Sequence, residues 1–167
     1  MKKKLMILII TFILFITAGI VFGAEMAKEG SGNGIVYYTA TSQVLAQGKE
    51  NVVINYEARG VYGNEDETNP FYMASDQCVG SIRAIKGEFK EFGLCTSTRP
   101  NGDQIHMYYE AAGKMGTPVK GTFTIVGGTG ECTGITGSGE YNRTSLKGPA
   151  EGISAAISKS TGSWNIP

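Results

Sequence analysis

The residues of this chain that could do metal or nucleophilic chemistry are few: three cysteines and a single histidine among 167 residues. Cys78, Cys95 and Cys132 show no Cys-x-x-Cys spacing, and one histidine is too few for the usual Cys/His zinc sets. His106 could act as a catalytic base only beside a nucleophile, and the chain contains no Gly-x-Ser-x-Gly motif that would supply a serine nucleophile. The sequence therefore predicts no metal site and no cofactor, and we assign no catalytic residue.

Tyrosine, present eight times, is the other residue type that could serve a ligand. Inside a barrel the tyrosine ring contributes apolar surface and the hydroxyl can form a hydrogen bond with a ligand. Aromatic residues are, however, also common in β-strands generally. Tyr56, Met107 and Tyr109 lie on the apolar faces of their predicted strands and are the candidate ligand-binding residues. If the polar faces turned inward instead, a charged set would be internal: Glu57, Arg59, His106 and Glu110. The alternation alone leaves this choice open.

The segment 121–141 contains seven glycines and could suggest phosphate binding. It matches neither the Gly-x-Gly-x-x-Gly pattern nor a P-loop, and a strand pattern rather than a helix follows it. Glycine permits positive φ and close backbone approach, so we interpret the segment as two strands joined by a tight corner. The glycines interpreted as structural are Gly127, Gly128, Gly130, Gly134 and Gly137.

From residue 34 onward, apolar and polar residues alternate in short runs that predict β-strands. The clearest run covers residues 51–62, two others cover residues 71–85 and 151–158, and Asn-Gly at 101–102 predicts a tight hairpin. In the last run Ile153, Ala155 and Ile157 share the apolar face. About eight or nine such runs predict an all-β fold, a single closed or nearly closed antiparallel β-barrel of about eight strands. Three small residues predicted to face inward would leave room for a cavity: Ala58, Ala111 and Ala155.

The N-terminus predicts an export signal over residues 1–23. Three lysines at positions 2–4 precede an apolar run of about 18 residues, which ends among small residues. Because that length is on the edge of what spans a bilayer, an uncleaved membrane anchor is the alternative, and membrane contact is expected only there. Residues 24–33 are interpreted as a flexible leader and residues 34–167 as the barrel domain.

Removal of residues 1–23 takes away three lysines and leaves a net charge of −3. Such a chain lacks the basic surface that attracts nucleic acids and anionic membranes, so we expect no nucleic acid as partner. The signal predicts a secreted or periplasmic protein, in an oxidising compartment where disulfides form. Cys78 and Cys95 lie on neighbouring predicted strands and are expected to pair. Cys132, inside the glycine corner, is expected to be a small buried residue.

The glycine segment resembles the allene oxide cyclase-like and dirigent-like β-barrel group. In that group a strand ends in Gly-Gly-Thr-Gly or Gly-Gly-Ser-Gly and a second glycine turn follows, as in residues 123–130 (FTIVGGTG) and 134–139 (GITGSG) here. The resemblance covers about residues 71–145 and implies the barrel fold. Where the group's pattern usually has a lysine and an aromatic residue, this chain has Glu131 and Cys132, so no catalytic residue carries over.

The upstream arrangement is similar to exported bacterial members of the same group. In those members a cysteine on one strand is followed by a Gly-x-Cys strand end and then by a hairpin. The matching residues in this chain are Cys78, Gly93-Leu-Cys95 and Asn101-Gly102-Asp103. Barrels of this group often associate, so a homo-oligomer is a further expectation.

The leading functional hypothesis is non-catalytic binding of a small apolar molecule, because small closed barrels commonly hold one ligand. The alternative is a cyclase, isomerase or dirigent-like activity on a small apolar substrate. It would need a buried ionisable residue with a shifted pKa inside the cavity. A third hypothesis is a structural or interaction protein of the cell envelope, which a contiguous exposed apolar patch would favour.

Overall fold

The computed structural model describes residues 25–167, which form eight antiparallel strands closed into one barrel. The predicted all-β barrel is thereby confirmed, whereas the predicted signal at residues 1–23 lies outside the described residues. The elements are β1 (Glu29–Gln47), β2 (Asn51–Tyr62), β3 (Ser75–Ile85), β4 (Glu88–Thr98), β5 (Gln104–Lys114), β6 (Val119–Gly128), a 3-10 turn (Gly130–Cys132), β7 (Thr136–Leu146) and β8 (Ile153–Asn165). Each strand pairs with the next, and β1 closes the barrel against β8. Within residues 25–167 no helix is long and apolar enough to cross a bilayer.

The first strand begins inside the segment that the sequence predicts to be a flexible leader. β1 pairs with β8 from Glu29 opposite Asn165 onward, so residues 29–33 belong to the sheet. The alternation is hidden there because the inward positions are glycines. A Cβ added at Gly30 would collide with the ring of Trp164. Glycine in this part of β1 therefore leaves space for the large side chain of the neighbouring strand.

Two other strand ends also differ from the sequence prediction. β3 begins at Ser75 rather than at residue 71, because residues 71–73 form a turn in which Met73 has a φ of 48°. β8 continues to Asn165, beyond the predicted run that ends at Ser158. Ser158 and Trp164 are the buried residues of β8, whereas Ile157 pairs across the outer face with Tyr37.

One end of the barrel is closed by a packed floor. Its buried apolar side chains are Met26, Ile105, Met107, Ile125, Cys132, Ile135, Trp164 and Ile166. The segment before β1 is part of this floor, since Ala27 donates to the Thr68 carbonyl at 2.9 Å and accepts from Trp164 Nε1 at 3.1 Å. Residues 26–28 are therefore tied down by packing and hydrogen bonds.

The opposite end carries four short connections and forms the mouth of the barrel. They are residues 48–50, 86–87, 115–118 and 147–152. The tightest joins β3 to β4 through Lys86 and Gly87, both at positive φ, as two-residue hairpins require. Successive strands therefore run alternately from the floor to the mouth and from the mouth to the floor. The interior between these two ends is available for a site.

Candidate functional site

A cavity of about 420 Å³ lies inside the barrel, within the range of about 300–1,000 Å³ that is usual for small-molecule sites. Tyr56, Met107 and Tyr109, the three predicted ligand-binding residues, all line it. Much of the remaining wall is apolar, from Val36, Ile54, Ile82, Phe123 and Ile125. The further polar residues that line it include several serines and asparagines together with Tyr38, Tyr62, Tyr141 and Arg143. Of the alanines predicted to face inward, Ala58 and Ala111 pack inside. Ala155 lies at the margin of the cavity, but it is in step with Ile157 and pairs with Thr39 on the outer face, so its predicted orientation is wrong.

The structure resolves which strand faces turn inward. Glu57 and Arg59 pair with each other on the outer surface at 3.1 Å, with 43% and 75% of their side chains exposed. Glu110 is exposed, and His106 lies on the outer face beside Thr96, whose Oγ1 is 3.2 Å from Nδ1. On β2 and β5 the apolar faces therefore form the interior, and this charged set is not part of the cavity.

A row of four residues across four strands brings two tyrosine hydroxyls together. Tyr56 on β2, Gly80 on β3, Gly93 on β4 and Tyr109 on β5 are successive register partners. A Cβ at either glycine would overlap the Tyr109 hydroxyl, so the two glycines provide the space in which the rings meet. The two Oη atoms lie 2.6 Å apart, as a direct hydrogen bond.

Beside this row lies an ion pair between β4 and β7, in which the Glu91 side chain is fully buried and the Arg143 side chain is 20% exposed. Glu91, 2% exposed, accepts from Arg143 Nη1 at 2.9 Å and Nη2 at 2.7 Å, a bidentate geometry that is among the strongest available to side chains. The Tyr56 hydroxyl also donates to Glu91 Oε1. The Glu91 carboxylate thus has three donors, and its charge is matched inside the barrel.

The pKa values of the groups in and around this ion pair are shifted by burial and by the neighbouring charges. Burial by itself lowers the pKa of Arg143, but the hydrogen bonds and charge of Glu91 raise it above its ordinary value. Burial and then the Glu91 charge raise the pKa of Tyr56. For Tyr109, burial raises the pKa to about 12 against the opposing hydrogen bond from Tyr56. All three therefore keep their ordinary protonation state at neutral pH.

Tyr141 is the tyrosine of this group whose hydroxyl has no partner. Its side chain lines the cavity and is 7% exposed, and its Oη is buried without a hydrogen bond to any of residues 25–167. Its ring is held edge-on against Tyr109 with centroids 6.4 Å apart. Buried polar groups are normally paired, so this hydroxyl requires an explanation.

A second polar cluster lies nearer the floor, around Asp76 on β3. Asp76, 4% exposed, accepts from Tyr38 Oη and from Ser97 Oγ, each at 2.5 Å. Tyr38 reaches it across Gly60, where a Cβ would overlap the Tyr38 ring. The carboxyl therefore lies behind Tyr38, and the tyrosine is the residue that faces the cavity.

Asp76 is the carboxyl whose ionisation is perturbed. Burial raises its pKa from 3.8 to about 6, and the hydrogen bonds from Ser97 and Tyr38 offset only part of that rise. Its two side-chain hydrogen-bond donors, Ser97 and Tyr38, are neutral. Asp76 is thus a carboxyl that gains and loses a proton close to neutral pH, one step removed from the cavity.

The predicted disulfide is confirmed: Cys78 and Cys95 are directly opposed on β3 and β4 and are bonded. Their sulfur atoms and the Asp76 carboxylate lie within 4.8 Å of one another, the spacing of a metal site. Metals bind thiolates, however, and both sulfurs are committed to the disulfide. Cys78 and Cys95 line the cavity, whereas Asp76 lies behind its wall.

The glycine corner joins β6 to β7 through the 3-10 turn. Gly130 and Gly134 have φ of 56° and 79°, and Gly127 has φ of 150°. Gly128 and Gly137 lie where a Cβ would meet the backbone of a neighbouring segment. Cys132 is completely buried in the floor, and burial raises the pKa of its thiol. The segment is therefore placed at the floor, as backbone architecture.

The outer surface carries an exposed apolar strip across β3, β4 and β5. Val79 pairs with Leu94, and Leu94 pairs with Tyr108, so their side chains are adjacent on the outer face. Val79, Leu94 and Phe92 are each more than half exposed.

Sequence reasoning missed the three charged residues inside the barrel. Glu91 shares its strand face with Phe89 and Cys95, and Asp76 shares its face with Cys78. The usable signal was the phase of each strand: a charged residue in step with buried neighbours faces inward too. The same reasoning applies to Arg143, which lies two residues after the buried Tyr141 and therefore on the same face of β7.

The comparisons with known proteins support the fold. No family model matches the chain, and no curated protein matches it. Among solved structures, that of the pterocarpan synthase dirigent protein GePTS1 is similar with a TM-score of 0.50 and 13% identity, covering 89% of this chain and 100% of that one. The structure of the pterocarpan synthase dirigent protein PsPTS1 is similar with a TM-score of 0.48 and 12% identity, covering 86% of this chain and 99% of that one. The similarity to the first of these two structures confirms the predicted resemblance to the dirigent-like barrel group for the fold.

Proposed function

We propose that this dirigent-like barrel binds a small, largely apolar molecule in its interior. The observation that carries the proposal is the cavity of about 420 Å³, closed by the floor and walled by aliphatic and aromatic side chains. Such sites combine an apolar wall with a few fixed polar groups. The paired tyrosines and the Glu91–Arg143 ion pair supply those groups, held rigid by their mutual hydrogen bonds.

Binding can be measured with the neutral fluorophore N-phenyl-1-naphthylamine. Trp164, the single tryptophan, lines the cavity and gives an internal donor for energy transfer to the probe. Wild-type protein is expected to bind one probe, with loss of Trp164 emission. Ala40 lines the cavity, so Ala40→Phe is expected to weaken binding at least about tenfold by filling it.

Thr41→Phe is the matched control, since it adds the same ring at the next residue, on the exposed outer face. It is expected to leave the affinity unchanged. Failure of the wild-type protein to bind the probe, or equal binding by both variants, would overturn the proposal.

A second candidate, acid–base catalysis of an isomerisation or cyclisation, is favoured by Asp76. Its pKa of about 6 suits proton transfer near neutrality, and Tyr38 connects it to the cavity through a 2.5 Å hydrogen bond. Its test is deuterium exchange at the α-carbon of α-tetralone in D2O, followed by NMR. Acceleration by wild-type protein that Asp76→Asn abolishes would support catalysis, and exchange at the buffer rate would reject it for this probe class.

We also propose that the protein is exported. The support is the predicted signal at residues 1–23 together with the Cys78–Cys95 disulfide, a bond typical of oxidising compartments. Fractionation of cells that express the full chain, followed by mass measurement, tests this: a chain that has lost residues 1–23 outside the cytoplasm is expected. A full-length reduced chain in the cytoplasm would contradict it.

A further inference from the structure

Charged residues are distributed unequally between the two ends of the barrel. Each end comprises its connections and the three strand residues on either side of them: residues 45–53, 83–90, 112–121 and 144–155 at the mouth, and 25–31, 60–77, 96–106, 126–138 and 163–167 at the floor. The mouth segments hold seven basic and three acidic residues, whereas the floor segments hold two basic and eight acidic residues. The net charge of −3 hides this separation, and the mouth is the positive end.

Exposed apolar side chains lie beside the lysines of the mouth. At three of the four connections a lysine directly adjoins an apolar residue that is more than two-fifths exposed, as in Ile85–Lys86, Lys114–Met115 and Leu146–Lys147. At the fourth, Leu45 is 62% exposed and Lys49 follows it in the turn. Lysines interleaved with exposed apolar side chains are typical of a surface that lies on an anionic bilayer.

Most of these lysines are free to meet an external anion. Lys114 pairs with Glu88 at 3.9 Å, whereas Lys49, Lys86 and Lys147 make no ion pair with any of residues 25–167. All four side chains are exposed. Their positive charge is therefore available at the surface.

Backbone hydrogen bonds join three of the connections into one continuous surface. The Lys86 amide donates to the Glu50 carbonyl at 2.9 Å, and the Met115 amide donates to the Gly87 carbonyl at 2.8 Å. Lys49, Lys86 and Met115 also line the same depression between these turns. Basic and apolar groups from different strands are thus presented together.

The cavity opens at this surface. Ser42, Ser145 and Ser154 occupy inward positions near the mouth, and they line the cavity while remaining exposed to solvent. At the other end the inward residues Ile105 and Ile125 are buried in the floor. The opening is therefore surrounded by the lysines and apolar residues of the mouth.

We propose that the mouth docks on an anionic lipid bilayer and that an apolar ligand passes directly between the bilayer and the cavity. The docking rests on the mouth alone, whereas the passage of a ligand rests on the proposed function. Salt screens charges beyond about 10 Å, so the acidic floor does not oppose the contact and the expectation drawn from net charge does not apply to this face. Because residues 26–28 enter at the floor, the docked bilayer is not one that holds an uncleaved leader.

The exposed apolar residues favour a bilayer over a nucleic acid. Either partner would attract the lysines, but only a bilayer has an apolar interior that Leu45, Met115 and Leu146 can enter. The cavity opening at the centre of the same surface has a role only on a bilayer.

Vesicle flotation of the exported protein tests the docking. The vesicles contain phosphatidylcholine alone or phosphatidylcholine with about 30% phosphatidylglycerol. Wild-type protein is expected to bind the anionic vesicles at least about tenfold more tightly at about 0.1 M salt, and to lose this preference at about 0.5 M. Lys49→Glu/Lys86→Glu/Lys147→Glu is expected to weaken binding to the anionic vesicles about a hundredfold.

Lys28→Glu/Arg59→Glu/Lys159→Glu is the matched control, because it changes the net charge equally at exposed positions outside the mouth. It is expected to weaken binding by less than about threefold, since these positions lie beyond the screening length of a docked mouth. Urea unfolding verifies that both triple variants are folded. Equal losses of binding in the two folded variants would show attraction to net charge and overturn the inference.

Brominated lipid reports which end faces the bilayer. Trp164, the single tryptophan, lies in the floor, so wild-type emission is expected to stay unchanged on anionic vesicles with brominated acyl chains. Met115→Trp places a second indole at the mouth and is expected to lose that added emission on the same vesicles. Quenching of Trp164 in the wild-type protein, or an unquenched indole at position 115, would overturn the orientation and with it the inference.

The outcomes separate this inference from the proposed function. If wild-type protein binds N-phenyl-1-naphthylamine but does not prefer the anionic vesicles, the docking is wrong and binding in the barrel stands. If the vesicles bind through the mouth and the fluorophore does not bind, the docking stands, whereas the proposed function and the passage of a ligand are rejected. Binding to a DNA duplex without binding to vesicles would also overturn the inference.

Discussion

Glu91 and Asp76 are both buried carboxyls, but they are stabilised in different ways. Glu91 meets a guanidinium, whereas Asp76 meets only the hydroxyls of Ser97 and Tyr38. Opposite charge compensates burial better than neutral donors do, so the two are expected to respond to different perturbations. The stability contribution of Glu91 is expected to depend on Arg143, and that of Asp76 is expected to depend on pH.

Removing the partner of Glu91 is expected to destabilise the fold strongly. Arg143→Leu leaves a carboxylate that is 0% exposed without its counter-charge, at a cost of about 3–5 kcal/mol in the free energy of unfolding. Urea unfolding measures it. The double variant Glu91→Gln/Arg143→Leu should recover most of the loss, because no buried charge remains. A double variant as unstable as the single one would show that packing, not charge, is responsible.

Asp76 is expected to make stability decrease as pH rises through the acidic range. Its pKa is about 6 when folded and about 3.8 when unfolded, so between these values the folded protein holds more protons. The contribution of the group to the free energy of unfolding therefore falls between about pH 4 and pH 6, by about 3 kcal/mol at most. Above about pH 7, where the carboxyl is ionised in both states, this contribution no longer changes.

Urea unfolding at pH 4, 5, 6 and 7 checks this expectation. Relative to Asp76→Asn, the wild-type protein should lose stability across that range, and exposed Glu65→Gln should behave as wild type. Parallel curves for wild type and Asp76→Asn would show that Asp76 titrates at an ordinary pKa.

At the level of strands, aromatic residues are accommodated by glycines on neighbouring strands. Tyr56 and Tyr109 meet over Gly80 and Gly93, and Tyr38 crosses Gly60. A sequence read one strand at a time shows these glycines as interruptions, because the residues they accommodate lie on other strands. That is also why β1 was predicted too short.

Gly80→Ala tests this pairing of large and small residues. The added methyl would overlap the hydroxyls of Tyr56 and Tyr109, so the rings must separate. The expected cost is about 1–3 kcal/mol, as for other overpacked cores. Thermal unfolding measures it. At Gly63 an added methyl would touch mainly the exposed ring of Tyr37, so Gly63→Ala should be much milder. Equal effects would show that the Gly80 space is not needed.

Periodicity predicted the inner faces of β2 and β5 correctly, but it was misleading for β8. There the apolar set that includes Ile157 is not the inner face, and Ser158 is buried instead. The polar clusters inside the barrel explain the difference, because Ser158 is the register partner of Arg143. Strand number, the disulfide and the apolar wall could thus be predicted, whereas the internal ion pair requires knowing which strands face each other.

At the level of the whole molecule, closure leaves side chains as the main means of association. Each described strand has a neighbour on both sides, so an unpaired backbone edge remains only at strand ends such as residues 42–47 of β1. We expect self-association to use the exposed strip of Val79, Phe92, Leu94 and Tyr108. Sedimentation velocity should show an oligomer that Leu94→Lys dissociates and Val44→Lys, elsewhere on the barrel, does not. A monomeric wild-type protein at about 50 μM would contradict this expectation.

The attachment of residues 26–28 to the floor gives the barrel a direction. The chain enters at the closed end, where Lys28 accepts from the Ile166 amide at 2.6 Å, and the mouth opens at the other end. Any tether through the N-terminus, such as an uncleaved leader, would therefore hold the opening away from the surface to which it is fixed. A molecule dissolved in that bilayer would have to pass through water before it reached the cavity, and one arriving from the surrounding compartment would meet the entrance directly.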